Sequence, residues 1–326
     1  MRIHIHELAD SPFVPITQAE FADAAALAGP IGAGHQVSFG TSFEEFAEHA
    51  PMIEALIAGP HTIRALDLGL APHLRLIQST SAGVDPLAPF DRIPKTALLL
   101  NNRGVHADRA GEFSIMAMLM LATHMPRFAS NQRAKKWERL PSGIIAGRRA
   151  TIIGVGGLGG GAARRARQFG VHVTGIRYGS VPHPDCDETK NIDQLDQVLP
   201  TTDLLLLACP LTDATRNVLD ARRMSRLPAG AGVINIGRGG LIDQAALIAA
   251  LRRGHLAGAV LDVFAQEPIP ADDPIWDAPN LIITPHISSD DPLRYNAATL
   301  AVFFDNLRAI AERRVPPTLV DRVKGY

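Results

Sequence analysis

The stretch "IIGVGGLGGGAARRARQFGVHVTGIRYGS", residues 152–180, decides the fold. A short apolar run ends in Gly154-x-Gly156-x-x-Gly159, an Ala/Arg-rich segment of helical composition follows, and a second apolar run spans 171–176. Strand, glycine turn, helix and strand in that order form half of a dinucleotide-binding unit. The spaced glycines permit a tight turn, close approach of a pyrophosphate and close packing of helix on strand. The helix N-terminus supplies unpaired N–H groups and partial positive charge for a phosphate, with Gly157 and Leu158 inside the turn. The alternative, a flexible glycine-rich loop, is disfavoured by the strands on both sides.

At the end of the second run an acidic residue is expected, to read the adenosine ribose. Arg177 stands there, 23 positions after Gly154. An acid would repel a 2'-phosphate, whereas arginine pairs with one, and Ser180 adds a hydroxyl donor. The residues therefore predict an intact site that prefers NADP(H). If Arg177 points to solvent, the site accepts NAD(H) as well.

Further along, apolar runs at 151–155, 171–176, 204–208, 232–236, 258–263 and 281–284 alternate with helix-length segments at 162–169, 193–198 and 244–253. Short continuous apolar runs suit strands buried on both faces of a parallel sheet, so a doubly wound α/β domain is predicted. The first hundred residues repeat the rhythm more loosely. Strands are expected at 2–6, 36–39, 55–58, 74–78 and 97–100, and helices at 18–27 and 43–49. Residues 105–123 read as a long apolar helix bridging two domains, 128–145 as polar and irregular with Trp137, and 291–311 as a last helix.

The 326 residues exceed what one small core needs and suit two domains. Apolar residues make up 46%, charged residues 20%, and the formal net charge is −1. Nothing in that balance suggests nucleic acid or a membrane surface as a partner. The two cysteines, Cys186 and Cys209, form no Cys-x-x-Cys pair and no metal-spaced cluster. With no signal-peptide core in "MRIHIHELAD" and no membrane-length apolar run, a cytoplasmic protein without a metal is expected.

Three features leave strand ends of the same predicted sheet: "NIGRGGLID" (235–243) with Arg238, "LDVFAQEP" (261–268) with Asp262 and Glu267, and "ITPHIS" (283–288) with His286. Ligands of open α/β sheets bind at carboxyl strand ends, so an arginine, a carboxylate and an imidazole can converge there. Taken singly, Arg238 could cap a helix or sit in a surface ion pair, Glu267 could be an exposed loop acid, and His286 a packed structural histidine.

Together with the glycine turn these segments resemble the D-isomer-specific 2-hydroxyacid dehydrogenases. So do "LRLIQSTSAGVD" (74–85), "NNRGVHADRAGEF" (101–113), "KKWER" (135–139), "CPLTDATRNV" (209–218) and the ending "VDRVKGY". The glyoxylate/hydroxypyruvate reductase type is the most similar. The resemblance implies two Rossmann-like doubly wound domains. The larger, NAD(P)-binding domain, 104–289, is inserted in a smaller flavodoxin-like substrate domain, 1–103 with 290–326, and a cleft between them closes on a hinge. It implies hydride transfer between NADP(H) and a small 2-oxo or D-2-hydroxy acid. Arg238 would hold the substrate carboxylate and polarise the ketone, His286 would give and take the proton, and Glu267 would pair with His286 and favour the imidazolium.

Asp262 would meet the nicotinamide amide. Cys209, Pro210, Thr215, Ile236 and Gly237 would line the cofactor site, and backbone N–H groups of Ser81, Ala82 and Gly83 would meet the substrate carboxylate. Where the family usually has Gly and Ala, this chain has Ser81 and Gly111, the latter expected to be tolerated. Its Gly159-Gly160-Gly161 run should weaken the helix start slightly. The arm around Trp137 would cross to a second subunit in a two-fold homodimer; the alternative is a plain packing tryptophan. Two other readings remain: a non-catalytic NAD(P)-sensing protein like the corepressors of this family, and formate or phosphite oxidation on the same fold.

Overall fold

The computed structural model describes residues 1–11, 15–179 and 181–325. Its strands are β1 (Arg2–His6), β2 (Gln36–Gly40), β3 (Ala55–Ala58), β4 (Leu76–Ser79), β5 (Leu98–Leu100), β6 (Arg149–Ile153), β7 (His172–Arg177), β8 (Glu188–Asn191), β9 (Leu204–Leu207), β10 (Ala231–Asn235), β11 (Leu256–Leu261) and β12 (Leu281–Ile283). Its α-helices are α1 (Gln18–Ala28), α2 (Phe43–His49), α3 (Pro60–Ala65), α4 (Ala107–Ala122), α5 (Met125–Arg133), α6 (Gly157–Gln168), α7 (Leu195–Val198), α8 (Ala221–Arg226), α9 (Gln244–Arg252) and α10 (Tyr295–Ala311). The chain forms two compact units, Met1–Val105 with Asp291–Tyr326, and His106–Asp290.

In the first unit five parallel strands are ordered β2-β1-β3-β4-β5, the flavodoxin-like order. Thr17 and Ser42 start α1 and α2 with full capping boxes, each closed by a glutamate three residues on, Glu20 and Glu45. Phe21 of α1 packs against Phe304 of α10 with ring centroids 5.6 Å apart.

In the second unit seven parallel strands run β12-β11-β10-β9-β6-β7-β8. This is the Rossmann order 3-2-1-4-5-6 with one further strand, and its switch point lies between β6 and β9. The four leucines of β9 explain the continuous apolar runs. Leu205 and Leu207 enter one core cluster, Leu204 and Leu206 the cluster on the other face, and none is more than 1% exposed. Each such leucine contributes about 1.5–3 kcal/mol by burial. Edge strand β8, "ETKN", lacks that signature because only β7 pairs with it and no residue of it is fully buried.

Three expectations change. The long helix α4, expected to bridge two domains, lies wholly in the second unit and packs on α6. Helix α5 takes in residues 128–133 of the expected irregular arm and starts with Pro126 in its first turn, and Glu138 beyond it accepts from Arg127 and Asn131. Polar composition hid this helix, because only Pro126 of it is fully buried.

The third concerns the extra glycines. A Cβ on Gly111 of α4 would lie 2.7 Å from the carbonyl oxygen of Gly161 on α6, and a Cβ on Gly161 would collide with the carbonyl of Ala107. The two departures are thus one feature, a helix crossing too close for side chains. Helix propensity would favour Gly161→Ala by about 1 kcal/mol, but forced overpacking costs about 1–3 kcal/mol and more against backbone. We expect Gly161→Ala to lower the unfolding midpoint in denaturant, and a stabilised variant would contradict this crossing.

Candidate active site

The β6–α6 turn is built by exclusion. Gly154 has φ +92°, and a Cβ there would sit 2.6 Å from backbone and side-chain atoms of Cys209. A Cβ on Gly159 would collide with the Gly154 carbonyl, so α6 starts hard against β6. Gly156, by contrast, has open space where a side chain would point, and it is exposed, with Gly157 and Leu158 half-buried beside it. The turn is tight beneath and open above, which fits a pyrophosphate over the α6 N-terminus. Arg177 ends β7, half-buried, and its guanidinium has no partner among the described residues. Ser180 lies outside the described residues.

Cys209 is 8% exposed, and burial pushes its thiol up to about 12, which removes it from nucleophilic chemistry. Pro210 is exposed at the same strand end. Thr215 is buried; its hydroxyl accepts from Thr212 N at 2.8 Å and donates to Pro210 O at 2.7 Å. Thr215 therefore shapes the loop after β9. Ile236 and Gly237 are buried, and a Cβ on Gly237 would lie 2.9 Å from the Cys209 carbonyl oxygen.

The next turn presents Arg238. Asn235 ends β10 and brackets that turn: its Oδ1 accepts from Gly237 N at 3.1 Å and its Nδ2 donates to Arg238 O at 2.9 Å. Sequence reasoning had passed over Asn235, although an Asx side chain two residues before a glycine is a turn signal. Arg238 is half-buried and donates to Gly237 O at 2.8 Å. A Cβ on Gly239 would collide with Phe264, so this turn rests directly on the loop that carries Glu267.

Glu267 is used at both oxygens. Oε1 accepts from Phe264 N at 2.8 Å, and Oε2 lies 2.7 Å from His286 Nδ1. With Nδ1 engaged, the outward Nε2 of His286 is the atom left to exchange a proton, and no described residue occupies it. The side chains are 45% and 35% exposed, so the pair is accessible to a ligand. Arg238, Glu267 and His286 follow three strands that are neighbours in the sheet, β10, β11 and β12.

Asp262 departs from the expected role. It has no exposed surface, and its carboxylate accepts from Thr284 Oγ1 at 2.6 Å, Ile287 N at 2.9 Å and Ser288 N at 2.8 Å. Its carbonyl accepts from His286 N at 2.9 Å. His286 has φ +57°, a left-handed conformation that costs energy for a residue with a side chain. Asp262 holds that turn, so it serves His286 and offers no surface to a nicotinamide.

In the first unit, Ser81, Ala82 and Gly83 are half-buried after β4. The Ser81 N–H is taken by Ser79 Oγ at 3.2 Å, so of the expected anion donors only those of Ala82 and Gly83 are unpaired among the described residues. Trp137 is 99% exposed, which overturns its reading as a packing tryptophan. No metal-holding cluster of His, Cys, Asp and Glu occurs among the described residues, and no described helix is long and apolar enough to cross a membrane.

The family model "D-isomer specific 2-hydroxyacid dehydrogenase, NAD binding domain" matches residues 115–288. The chain belongs to this family. A glyoxylate/hydroxypyruvate reductase B of Citrobacter koseri is 30% identical over 286 residues, 85% of this chain and 87% of that protein. Among solved structures, a D-isomer specific 2-hydroxyacid dehydrogenase of Xanthobacter autotrophicus Py2 in complex with NADPH and MES superposes with a TM-score of 0.83 at 26% identity, covering 99% of both chains. An NADPH-dependent glyoxylate/hydroxypyruvate reductase of Sinorhizobium meliloti, in complex with NADP and sulfate, gives 0.79 at 26% identity and covers 100% of both. The protein is thus an NAD(P)-binding 2-hydroxyacid dehydrogenase with two parallel-sheet α/β domains.

Replacing Asp262 by Asn sets an amide N–H₂ against one of the N–H groups of Ile287 and Ser288. We expect Asp262→Asn to lose about 1–3 kcal/mol of unfolding free energy. An unchanged midpoint would show that the carboxylate does not hold the turn.

Proposed function

We propose that the protein reduces small 2-oxo acids of the glyoxylate or hydroxypyruvate type to D-2-hydroxy acids, with NADP(H) preferred over NAD(H). The observation that carries the reaction is the 2.7 Å contact between Glu267 and His286, beside the turn that carries Arg238. His286 Nε2 donates the proton to the ketone oxygen, Glu267 orients the imidazole through its contact with Nδ1, and Arg238 binds the substrate carboxylate through its planar fork. The cofactor supplies the hydride. The turn at Gly154, Gly156, Gly157, Leu158 and Gly159 holds its pyrophosphate, and the Ala82 and Gly83 N–H groups assist at the substrate carboxylate.

Cofactor preference rests on Arg177. A guanidinium without a partner among the described residues, at the strand end where a ribose-reading acid is expected, suits a 2'-phosphate and offers nothing to a 2'-hydroxyl that an acid would not offer better. The family's two-domain division is read here as a dinucleotide-binding domain over 104–289 and a substrate domain over 1–103 with 290–326. A two-fold homodimer is part of the same reading. The α4 face of Ile115, Met116, Leu119 and Met120, with exposed Met125, Trp137 and Ile144 nearby in sequence, is an apolar surface suited to a second copy. A cytoplasmic setting accords with two unpaired thiols.

The test is the rate of cofactor oxidation with glyoxylate, hydroxypyruvate, pyruvate and phenylpyruvate, each with NADPH and NADH, in the wild type and in Arg177→Asp. NADPH-linked turnover that falls at least about tenfold in the variant, while NADH-linked turnover holds or rises, is the expected result. Wild-type turnover at least as fast with NADH as with NADPH would overturn the cofactor preference. Silence with every pairing would defeat the reductase reading in favour of a binding protein.

A further inference from the structure

The substrate unit carries an unexplained polar cavity at the carboxyl ends of β1 and β4. It is lined by His6, Glu7, Ile57, Thr80, Tyr295 and Asn296, among others, and has room for about one water-sized group. Two buried atoms of these lining residues, His6 Nε2 and Thr80 Oγ1, have no hydrogen-bond partner among the described residues, although His6 is 0% and Thr80 6% exposed. An orphaned buried polar atom costs about 1–3 kcal/mol, so two beside one small void call for an occupant.

The chemistry of that occupant follows from the groups behind it. His4 lies between Ser38 and His6, with Nδ1 2.8 Å from Ser38 Oγ and Nε2 3.0 Å from His6 Nδ1. If His4 Nε2 carries the shared proton, His6 is left with an Nε2–H donor. If His6 Nδ1 carries it, Nε2 is left as an acceptor. Burial lowers both imidazoles, His4 to about 4, so the pair is neutral near pH 7. The Glu7 carboxylate accepts from Gly59 N at 3.0 Å and Thr62 Oγ1 at 2.5 Å and is not a free counter-ion. A charged guest would be desolvated without compensation. A carboxylate is too large. A hydroxyl fits, because it both donates and accepts and can meet His6 and Thr80 together.

The place of the cavity says where that hydroxyl comes from. Thr80 immediately precedes Ser81, Ala82 and Gly83, the loop assigned above to the substrate carboxylate. A carboxylate held by the Ala82 and Gly83 N–H groups brings the rest of a short acid next to Thr80. We propose that His6 and Thr80 form a subsite for a hydroxyl on carbon 3 of the substrate, so that the enzyme favours 2-oxo-3-hydroxy acids over 2-oxo acids that lack the hydroxyl. This rests on the reductase reading.

Thr80→Val tests it. The variant removes only the orphaned hydroxyl, while the backbone bonds Thr80 N to Ala58 O and Asn102 Nδ2 to Thr80 O remain. The readout is the ratio of kcat/KM for hydroxypyruvate to that for glyoxylate, with the melting temperature as a check on folding. The subsite predicts a fall of about tenfold in that ratio, the worth of one buried hydrogen bond. An unchanged ratio, or equal losses on both substrates, would mean that the cavity holds only a water, and would overturn the subsite while leaving the reductase intact. A wild type that reduces neither acid would defeat the reductase reading, and the subsite with it.

Discussion

The close approach of three backbone turns around Cys209 is the constraint on which the second unit depends. Gly154 and Gly237 reach Cys209 from β6 and β10, and Gly159 reaches Gly154 from α6, each at a distance that excludes a Cβ. These contacts fix the α6 N-terminus at the switch point between β6 and β9 and set Gly237, the residue before Arg238, at the same edge. A second set of contacts carries the order outward. Gly239 rests on Phe264, Phe264 N–H is held by Glu267, and Glu267 holds His286. The arrangement passes from the Arg238 turn to the Glu267 loop through backbone contact, and from that loop to His286 through the Glu267 carboxylate.

Buried charge completes it. Asp262 would be costly in the core without donors, and Thr284, Ile287 and Ser288 supply them. The energy that solvates this carboxylate also keeps His286 in a left-handed conformation that a loose loop would abandon. A proton donor must keep its position to be effective, so this turn belongs to the chemistry even though Asp262 is sealed from ligand.

Much of this was legible in the sequence, and the reasons are physical. Strands β1 and β3 match their expected spans, and β9, β10 and β11 lie within two residues of theirs; β3, β9 and β11 are apolar throughout, as strands covered on both faces tend to be. The edge strand β8 and helix α5 escaped, since exposure lets polar residues occupy both. Arg238, Glu267 and His286 could be singled out because each lies in the loop after a recognisable strand. The role of Asp262 could not be read, because a buried carboxylate facing backbone N–H groups looks the same in sequence as one facing a ligand. Nor could the pairing of Gly111 with Gly161, which are 50 positions apart and meet only across a helix crossing.

The most direct test of the account is a paired measurement on His286→Ala: the NADPH dissociation constant by fluorescence, and the single-turnover rate of NADPH oxidation by the best 2-oxo acid. The Gly154 turn and Arg177 do not involve His286, so NADPH should bind as in the wild type, while the single-turnover rate should fall by about 10²–10⁴, the usual worth of a positioned acid. A variant that oxidises NADPH at the wild-type rate would show that the proton comes from elsewhere and that the Glu267–His286 pair is not the centre of the reaction.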